Sequence, residues 1–108
     1  MTDTDKIREL NDRLRQTFTG GRILTTLGIR CKPVEDVSRI LAQVRSFNKF
    51  NKDNDVYGER DFGKFTFKGD VIMWKIDYYD KNYEFLSENP ADPSKTNRVL
   101  TIMTAEEY

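Results

Sequence analysis

The sequence predicts an α+β fold: an antiparallel or mixed sheet of about four strands with two helices on one face. Apolar residues recur at helical spacing over 4–18 and 33–47. Two β-rich segments, 61–67 and 71–79, flank a glycine turn, and the final segment 98–104 is again rich in β-branched and apolar residues.

An apolar stripe followed by a Gly20-Gly21 stop predicts the first helix. The stripe consists of Ile7, Leu10, Leu14 and Phe18. Residues 22–29 then alternate in a pattern rich in β-branched residues, which predicts a strand buried mainly on one face, with Gly28 at a bulge or at its end. We expect the lone Cys31 beside this strand to be a small buried residue in a reducing compartment.

The second helix is predicted to begin near Pro33, which suits a first helical turn, and acidic residues follow it there. Its apolar stripe consists of Val37, Ile40, Leu41, Val44 and Phe47. We interpret the arginines of both helices as parts of solvated helix faces. These are Arg8, Arg13, Arg15, Arg39 and Arg45.

A β-hairpin with its turn at 68–70 is predicted next. Alternation places four residues of its second strand in the core: Ile72, Trp74, Ile76 and Tyr78. Phe65 and Phe67 share one face of the first strand and are expected to be core residues as well. We predict a central strand over 98–104, although the preceding residues 92–94 also suit the start of a helix.

The composition predicts one soluble domain over residues 1–108. Apolar residues make up 37% of the chain, which is enough for one hydrophobic core. The apolar runs, such as 71–74, are far shorter than the roughly 18 residues that a membrane span needs, and no signal peptide pattern follows Met1. We therefore expect a cytoplasmic protein that does not enter a membrane.

The formal net charge is zero, but the charges are unevenly distributed. Residues 1–52 carry 11 Lys or Arg and 6 Asp or Glu, a balance of +5, whereas residues 53–108 carry 7 and 12, a balance of −5. Two connections, 48–61 and 80–97, are acidic and exceed the roughly 12 to 15 residues beyond which an unstructured loop tends to be functional or disordered. We expect the functional site in these loops.

The two loops are predicted to bind a protein partner and not to bind nucleic acid directly. Six carboxylates would supply the charge: Asp53, Asp55, Glu59, Asp61, Asp77 and Asp80. Three aromatic residues would be the apolar anchors: Tyr57, Tyr83 and Phe85. Acidic groups on a rigid scaffold imitate phosphates and steer a domain onto a basic nucleic-acid-binding surface.

Two motifs at the first loop are incomplete. Residues 53–58 resemble the start of a calcium loop, but Tyr57 and Lys64 stand where oxygen ligands are required, so Asx turns are their expected role. Residues 60–67 partly match an RNA-recognition strand, but Asp61 and Lys64 depart from it and the zero net charge provides no basic footprint. We predict no cofactor and no metal ligand.

Most enzyme mechanisms are excluded, because the chain has no histidine and a single cysteine. Ser-His and Cys-His nucleophile pairs and the common zinc sites are therefore absent. The remaining alternative is carboxylate chemistry, with Asp61, Asp77 and Asp80 as acid and base or as magnesium ligands. Tyr57, Tyr78 and Tyr79 would be the hydrogen-bond donors.

Five segments together resemble an uncharacterised family of small domains that is found mainly in alphaproteobacteria and in their plasmids and integrated elements. These segments are 18–22, 53–63, 74–80, 90–93 and 98–103. In the family pattern, proline often stands at the position of Val56 and histidine at that of Arg60. The resemblance implies no established activity. Either this chain has lost a histidine-dependent chemistry or the motif was never catalytic.

The acidic loops and this resemblance lead to one main hypothesis. In this hypothesis, the chain is a non-enzymatic binding protein of a mobile element and inhibits host defence as an anti-CRISPR or anti-restriction protein. The alternative is the carboxylate or metal-dependent enzyme, with the same loops as its pocket. A third hypothesis is a self-associating structural domain.

Overall fold

The computed structural model describes residues 1–108 and has the predicted α+β fold, with three helices beside one mixed sheet of four strands. In chain order the elements are α1 (Asp3–Thr17), β1 (Arg22–Thr25), α2 (Leu27–Arg30), α3 (Val34–Ser46), β2 (Phe62–Phe67), β3 (Asp70–Tyr79) and β4 (Asn97–Thr104). Two 3-10 helices, Pro93–Lys95 and Ala105–Glu107, flank β4. No helix combines the length and the apolar character that crossing a membrane requires.

Local sequence determines both ends of α1. Thr2 and Asp5 form a capping box, in which each backbone N–H donates to the side chain of the other, at 3.1 and 3.2 Å. The helix ends at Phe18, whose φ of 57° places it in the left-handed region. The chain therefore leaves the helix two residues before the predicted glycine stop.

The sheet has the strand order β1-β4-β3-β2. β4 is central, as predicted, because it pairs in parallel with β1 and antiparallel with β3. β2 and β3 form the predicted hairpin, and its two-residue turn is Lys68-Gly69. Both turn residues have positive φ, 48° and 86°, which is the primed turn that matches strand twist.

One face of the sheet packs against α1 and α3 to form the core. Register places Trp74 opposite Ile102 and Ile76 opposite Leu100, so these side chains share that face. The buried cluster consists of Leu14, Ile29, Ile40, Val44, Phe67, Ile72, Trp74, Ile76, Leu100 and Ile102. Phe65 and Tyr78 pack against this cluster, so the predicted inward residues of both hairpin strands are confirmed.

The prediction of a strand over 22–29 is wrong beyond Thr25, because Glu107 organises the residues that follow. The Glu107 carboxylate accepts hydrogen bonds from Thr26 Oγ1 at 2.6 Å and from the backbone N–H of Gly28 at 2.9 Å. A carboxylate bound to first-turn N–H groups favours helix initiation. The chain therefore turns into α2 instead of continuing the strand.

The turn into α2 after Thr25 also explains why Cys31 is exposed. Ile29 remains in the core, but it reaches the core from α2. Cys31 follows α2 at its C-terminal end and is exposed, so the prediction of a buried cysteine is wrong. Gly28 lies within α2 and not at a bulge.

Candidate functional site

The two long connections meet beside the end of β3 that extends beyond β2. The Ile76 N–H donates to the carbonyl of Asp61 at 2.8 Å, and two residues later Ser87 N–H donates to the carbonyl of Tyr78 at 3.0 Å. Tyr79 also forms an isolated antiparallel bridge with Leu86. The first loop therefore ends, and the second one folds back, beside neighbouring residues of one strand.

A buried polar network centred on Asn11 of α1 joins the same two loops. Asn11 Nδ2 donates to the Glu59 carbonyl at 3.0 Å and to the Tyr78 hydroxyl at 2.7 Å. Arg98 Nε donates to Asn11 Oδ1 at 2.9 Å, and another Arg98 nitrogen donates to the Pro90 carbonyl. Asn11 is fully buried and all its polar atoms are paired, which makes it a rigid junction.

Tyr78 and Glu59 form a charge-assisted pair within this network. The Tyr78 hydroxyl donates to Glu59 Oε1 at 2.7 Å. Burial, and next the hydrogen bond to Glu59, raise the pKa of Tyr78 far above its ordinary value, so its hydroxyl remains a donor. The carboxylate of Glu59, predicted to face a partner, therefore stabilises the loop from within.

Arginines attach the first loop to the helices. Arg8 Nη1 donates to the Gly58 carbonyl at 3.1 Å, and Arg60 Nη1 forms an ion pair with Asp12 Oδ2 at 2.9 Å. Arg15 is only 1% exposed, which contradicts its interpretation as part of a solvated face. Its Nη1 donates to three carbonyls at the end of α3: those of Val44, Arg45 and Phe47.

The tip of the first loop contains an Asx turn, but the side chain that forms it is Asn51 and not a residue of 53–58, where this role was expected. Asn51 Oδ1 accepts from the backbone N–H groups of Asp53 and Asn54, at 2.8 and 3.0 Å. Asn54 in turn accepts from the Asn51 N–H and donates to the Lys49 carbonyl. The described chain contains no group of three His, Cys, Asp or Glu residues that could hold a metal ion.

Asp61 lies at the junction of the loops and is half-buried. Burial raises the pKa of its carboxyl, and the nearby charges of Glu59, Asp55 and Asp77 raise it further. A carboxyl of this kind is able to exchange protons nearer to neutral pH than an exposed aspartate. Its charge is also destabilising, because the carboxyl is half-buried and the charges of Glu59, Asp55 and Asp77 oppose it.

A family model described as "Protein of unknown function (DUF3768)" matches residues 25–107. The chain belongs to this family. No curated protein and no solved structure matches the chain. The DUF3768 segment contains both loops and the sheet from the end of β1, but not α1. The network partners Glu59, Tyr78 and Arg98 thus lie inside the matched segment, whereas Asn11 lies outside it.

The predicted acidic residues of the DUF3768 segment differ in whether their carboxylates are exposed or engaged in hydrogen bonds and ion pairs. Asp53 is exposed, whereas Asp55 accepts from the Arg60 N–H at 2.9 Å. Asp77 forms an ion pair with Lys75 at 2.6 Å. Asp80 accepts from the N–H groups of Asn82 and Glu84 in the second loop, at 3.1 and 3.0 Å. Several of these carboxylates therefore have a structural role.

The predicted aromatic anchors of the DUF3768 segment also differ. Tyr57 is 82% exposed and Phe85 is 72% exposed. Tyr83 is less exposed, because the Arg22 guanidinium lies over its ring, 4.5 Å from the centroid, and the Tyr79 ring lies 6.1 Å away. Tyr57 and Phe85 are thus the large aromatic side chains that the loops leave open to solvent.

Sequence reasoning missed three residues that hold this site together: Asn11, Arg15 and Arg98. Asn11 and Arg15 lie four and eight residues after Ile7, so they belong to the apolar stripe of α1. A polar residue within an apolar stripe indicates a buried hydrogen bond, and this feature was available in the sequence. Arg98 carried a comparable indication, because it precedes Leu100 and Ile102 at strand spacing on the core face of β4, but its partner Asn11 is 87 residues away and was not predictable.

Proposed function

We propose that the chain is a non-catalytic protein-binding domain whose recognition surface consists of the loops 48–61 and 80–97. The observation that carries this proposal is the exposure of Tyr57 and Phe85 on loops that a buried network holds in place. Exposed aromatic side chains on an ordered scaffold bury a large area on binding and lose little conformational entropy. They are therefore suited to be interface anchors.

The charge of the loops supports a basic partner. Asp53 and Glu84 are exposed, and neither belongs to an ion pair. Carboxylates around apolar anchors favour encounter with a positively charged surface, at a rate that falls as salt rises. A nucleic-acid-binding protein presents such a surface.

The family resemblance makes the proposal more specific. If the chain comes from a plasmid or an integrated element, the partner that we propose is a nucleic-acid-binding complex of host defence, of restriction or CRISPR type. The loops would then occupy its nucleic-acid-binding surface and inhibit it. This is the main function that we propose.

The test is capture of host proteins by the tagged chain at low and high salt. We expect a nucleic-acid-handling protein to be retained at low salt and lost at high salt. The pair Tyr57→Ala and Phe85→Ala should abolish its capture, whereas Tyr108→Ala, an exposed tyrosine at the opposite end of β4, should not. The pair Asp53→Lys and Glu84→Lys should also abolish it.

The matched charge control is Glu35→Lys, an exposed residue of α3, which should leave capture unchanged. Capture that survives both loop variants would refute the proposed surface. If no protein is captured and magnesium, manganese or calcium raises the melting temperature, the carboxylate enzyme becomes the better hypothesis, because a specific ion stabilises the native state by mass action.

A further inference from the structure

A cleft of about 360 Å³ lies between the second loop and the Gly20-Gly21 turn. Four of its lining residues are cationic: Arg13, Arg22, Lys81 and Arg98. No acidic residue lines it. This concentration of one sign of charge occurs in a molecule whose formal net charge is zero.

None of the four cations forms a direct ion pair with a carboxylate, although Glu59 lies near enough to Arg98, and Asp92 to Lys81, to attract it. The ion pairs of the molecule involve other residues throughout. Lys81 makes only long hydrogen bonds, to the Thr96 carbonyl at 3.3 Å and to Asn97 Oδ1 at 3.4 Å. Arg22 lies over the Tyr83 ring. A bound anion would be attracted to cations that no direct ion pair satisfies.

Arg98 supplies the independent evidence for a ligand. It is only 3% exposed, and its Nε and Nη2 donate to Asn11 and Pro90. Its Nη1 donates to no protein acceptor. The side-chain nitrogens that are both inaccessible to solvent and without a partner are Arg15 Nε and Trp74 Nε1, so Arg98 Nη1 is accessible to solvent. The network thus orients a buried guanidinium, and Arg98 is one of the residues that line the cleft.

The glycine turn adds two backbone donors. The N–H groups of Gly20 and Gly21 donate to no backbone acceptor. A Cβ on Gly21 would lie 2.6 Å from the Arg98 carbonyl oxygen, so only glycine allows the turn to approach β4 this closely. The approach places Gly21 against the backbone and Cβ of Arg98, and both glycines line the same cleft as that residue.

We propose that this cleft binds the phosphate group of a phosphomonoester, held by Arg98, Arg13 and Lys81 and by the two glycine amides. Guanidinium groups and converging backbone N–H groups are the donors that phosphate takes in proteins. The volume lies within the range of small-molecule sites, roughly 300 to 1,000 Å³. The proposal does not rest on the protein-binding function, because it uses the basic residues and not the acidic ones.

The test is titration of the ¹⁵N-labelled chain with inorganic phosphate at constant ionic strength, followed by amide chemical shifts. We expect the Gly20 and Gly21 amides to shift and to saturate. The pair Arg13→Glu and Lys81→Glu should weaken binding by about tenfold or more, since it removes two charge-assisted contacts. Both side chains are exposed, so the fold should be retained. The control pair Arg39→Glu and Lys49→Glu, exposed residues outside the cleft, should bind like the wild type.

Two further ligands distinguish the source of the phosphate. Saturating shifts with adenosine monophosphate, and none with an oligonucleotide that lacks a terminal phosphate, would support a phosphomonoester. Equal binding of that oligonucleotide would overturn this assignment in favour of a nucleic-acid backbone. Shifts that do not saturate, or that both variant pairs reduce equally, would overturn the site itself.

Discussion

At the scale of single residues, Asn11 and Asp61 have opposite effects on the junction of the loops. Asn11 provides a buried hydrogen-bond partner to a backbone carbonyl, a phenol and a guanidinium. Asp61 places a half-buried carboxylate beside three other acidic residues. Asn11 therefore stabilises the junction of the loops, whereas Asp61 destabilises it.

Replacing Asn11→Leu keeps the number and branching of the side-chain heavy atoms but removes every hydrogen bond that Asn11 makes in the network. Because three polar groups then lose a partner in a buried site, we expect the free energy of unfolding to fall by about 3 kcal/mol. Urea denaturation measures the change. Asn48→Leu, at an exposed position, is the matched control and should shift it by less than about 0.5 kcal/mol. A loss for Asn11→Leu as small as the control's would contradict the role of Asn11.

Asp61→Asn should stabilise the protein at neutral pH. The raised pKa means that the folded state binds this proton more tightly than the unfolded chain, so stability declines as pH rises above the ordinary aspartate value of 3.8. The variant has no such charge. Its melting temperature should exceed that of the wild type at pH 7 and equal it at pH 3.

Thermal unfolding across this pH range, followed by circular dichroism, is the measurement. Asp53→Asn, at the exposed tip of the same loop, is the control and should leave the melting temperature unchanged. A lower melting temperature for Asp61→Asn at pH 7 would show that its carboxylate is stabilising. A carboxylate that lowers the stability of the fold is expected at a binding site, because residues selected for function often reduce stability.

At the scale of elements, the C-terminal 3-10 helix determines where β1 ends. Glu107 connects this helix to Thr26 and Gly28, and its carboxylate also accepts from the N–H and hydroxyl of Thr104. The Thr26 hydroxyl first, and then the backbone N–H groups of Thr104 and Gly28, lower the pKa of Glu107 from 4.5 to about 2. Segments from both halves of the chain thus share one carboxylate.

Glu107→Gln should therefore lower stability in a pH-dependent way. A depressed pKa in the folded state contributes stability above pH 4.5, and this contribution is lost as the pH falls to about 2. We expect the variant to have a lower melting temperature than the wild type at pH 6. The difference in melting temperature should become smaller as the pH falls from 4.5 to about 2. Glu106→Gln, the exposed neighbour, is the control. A difference that does not change with pH would contradict this account.

At the scale of the whole molecule, the sheet leaves two strands at its edges, β1 and β2. β2 is six residues long and its exposed Lys64 lies near the middle of the edge. An unpaired edge is a template for pairing with another chain, and a lysine there opposes it. Charge on this strand therefore helps to keep copies of the protein apart.

Lys64→Val should increase self-association, because it removes the charge and raises the β-propensity of the edge. The measurement is the weight-average mass by light scattering, compared with the wild type at equal concentration. Lys49→Val, in the first loop, is the control and should not change the mass. An unchanged mass for Lys64→Val would mean that another feature protects the edge.

The sequence by itself determined the elements whose pattern is local. Helical spacing located α1 and α3, alternation located the hairpin and its core face, and β-branched residues located the central strand β4. The two long loops were also evident from their length. These features depend on neighbours a few residues apart, so composition and period suffice to predict them.

Only the tertiary structure decided the rest. The end of β1 depends on Glu107, the burial of Asn11 on Arg98, and the exposure of Cys31 on the turn into α2. The gathering of cationic residues in one cleft depends on how the second loop packs against the glycine turn. Each of these features involves residues far apart in the chain. Their hydrogen bonds and packing form only when the fold brings them together, and no local pattern specifies that.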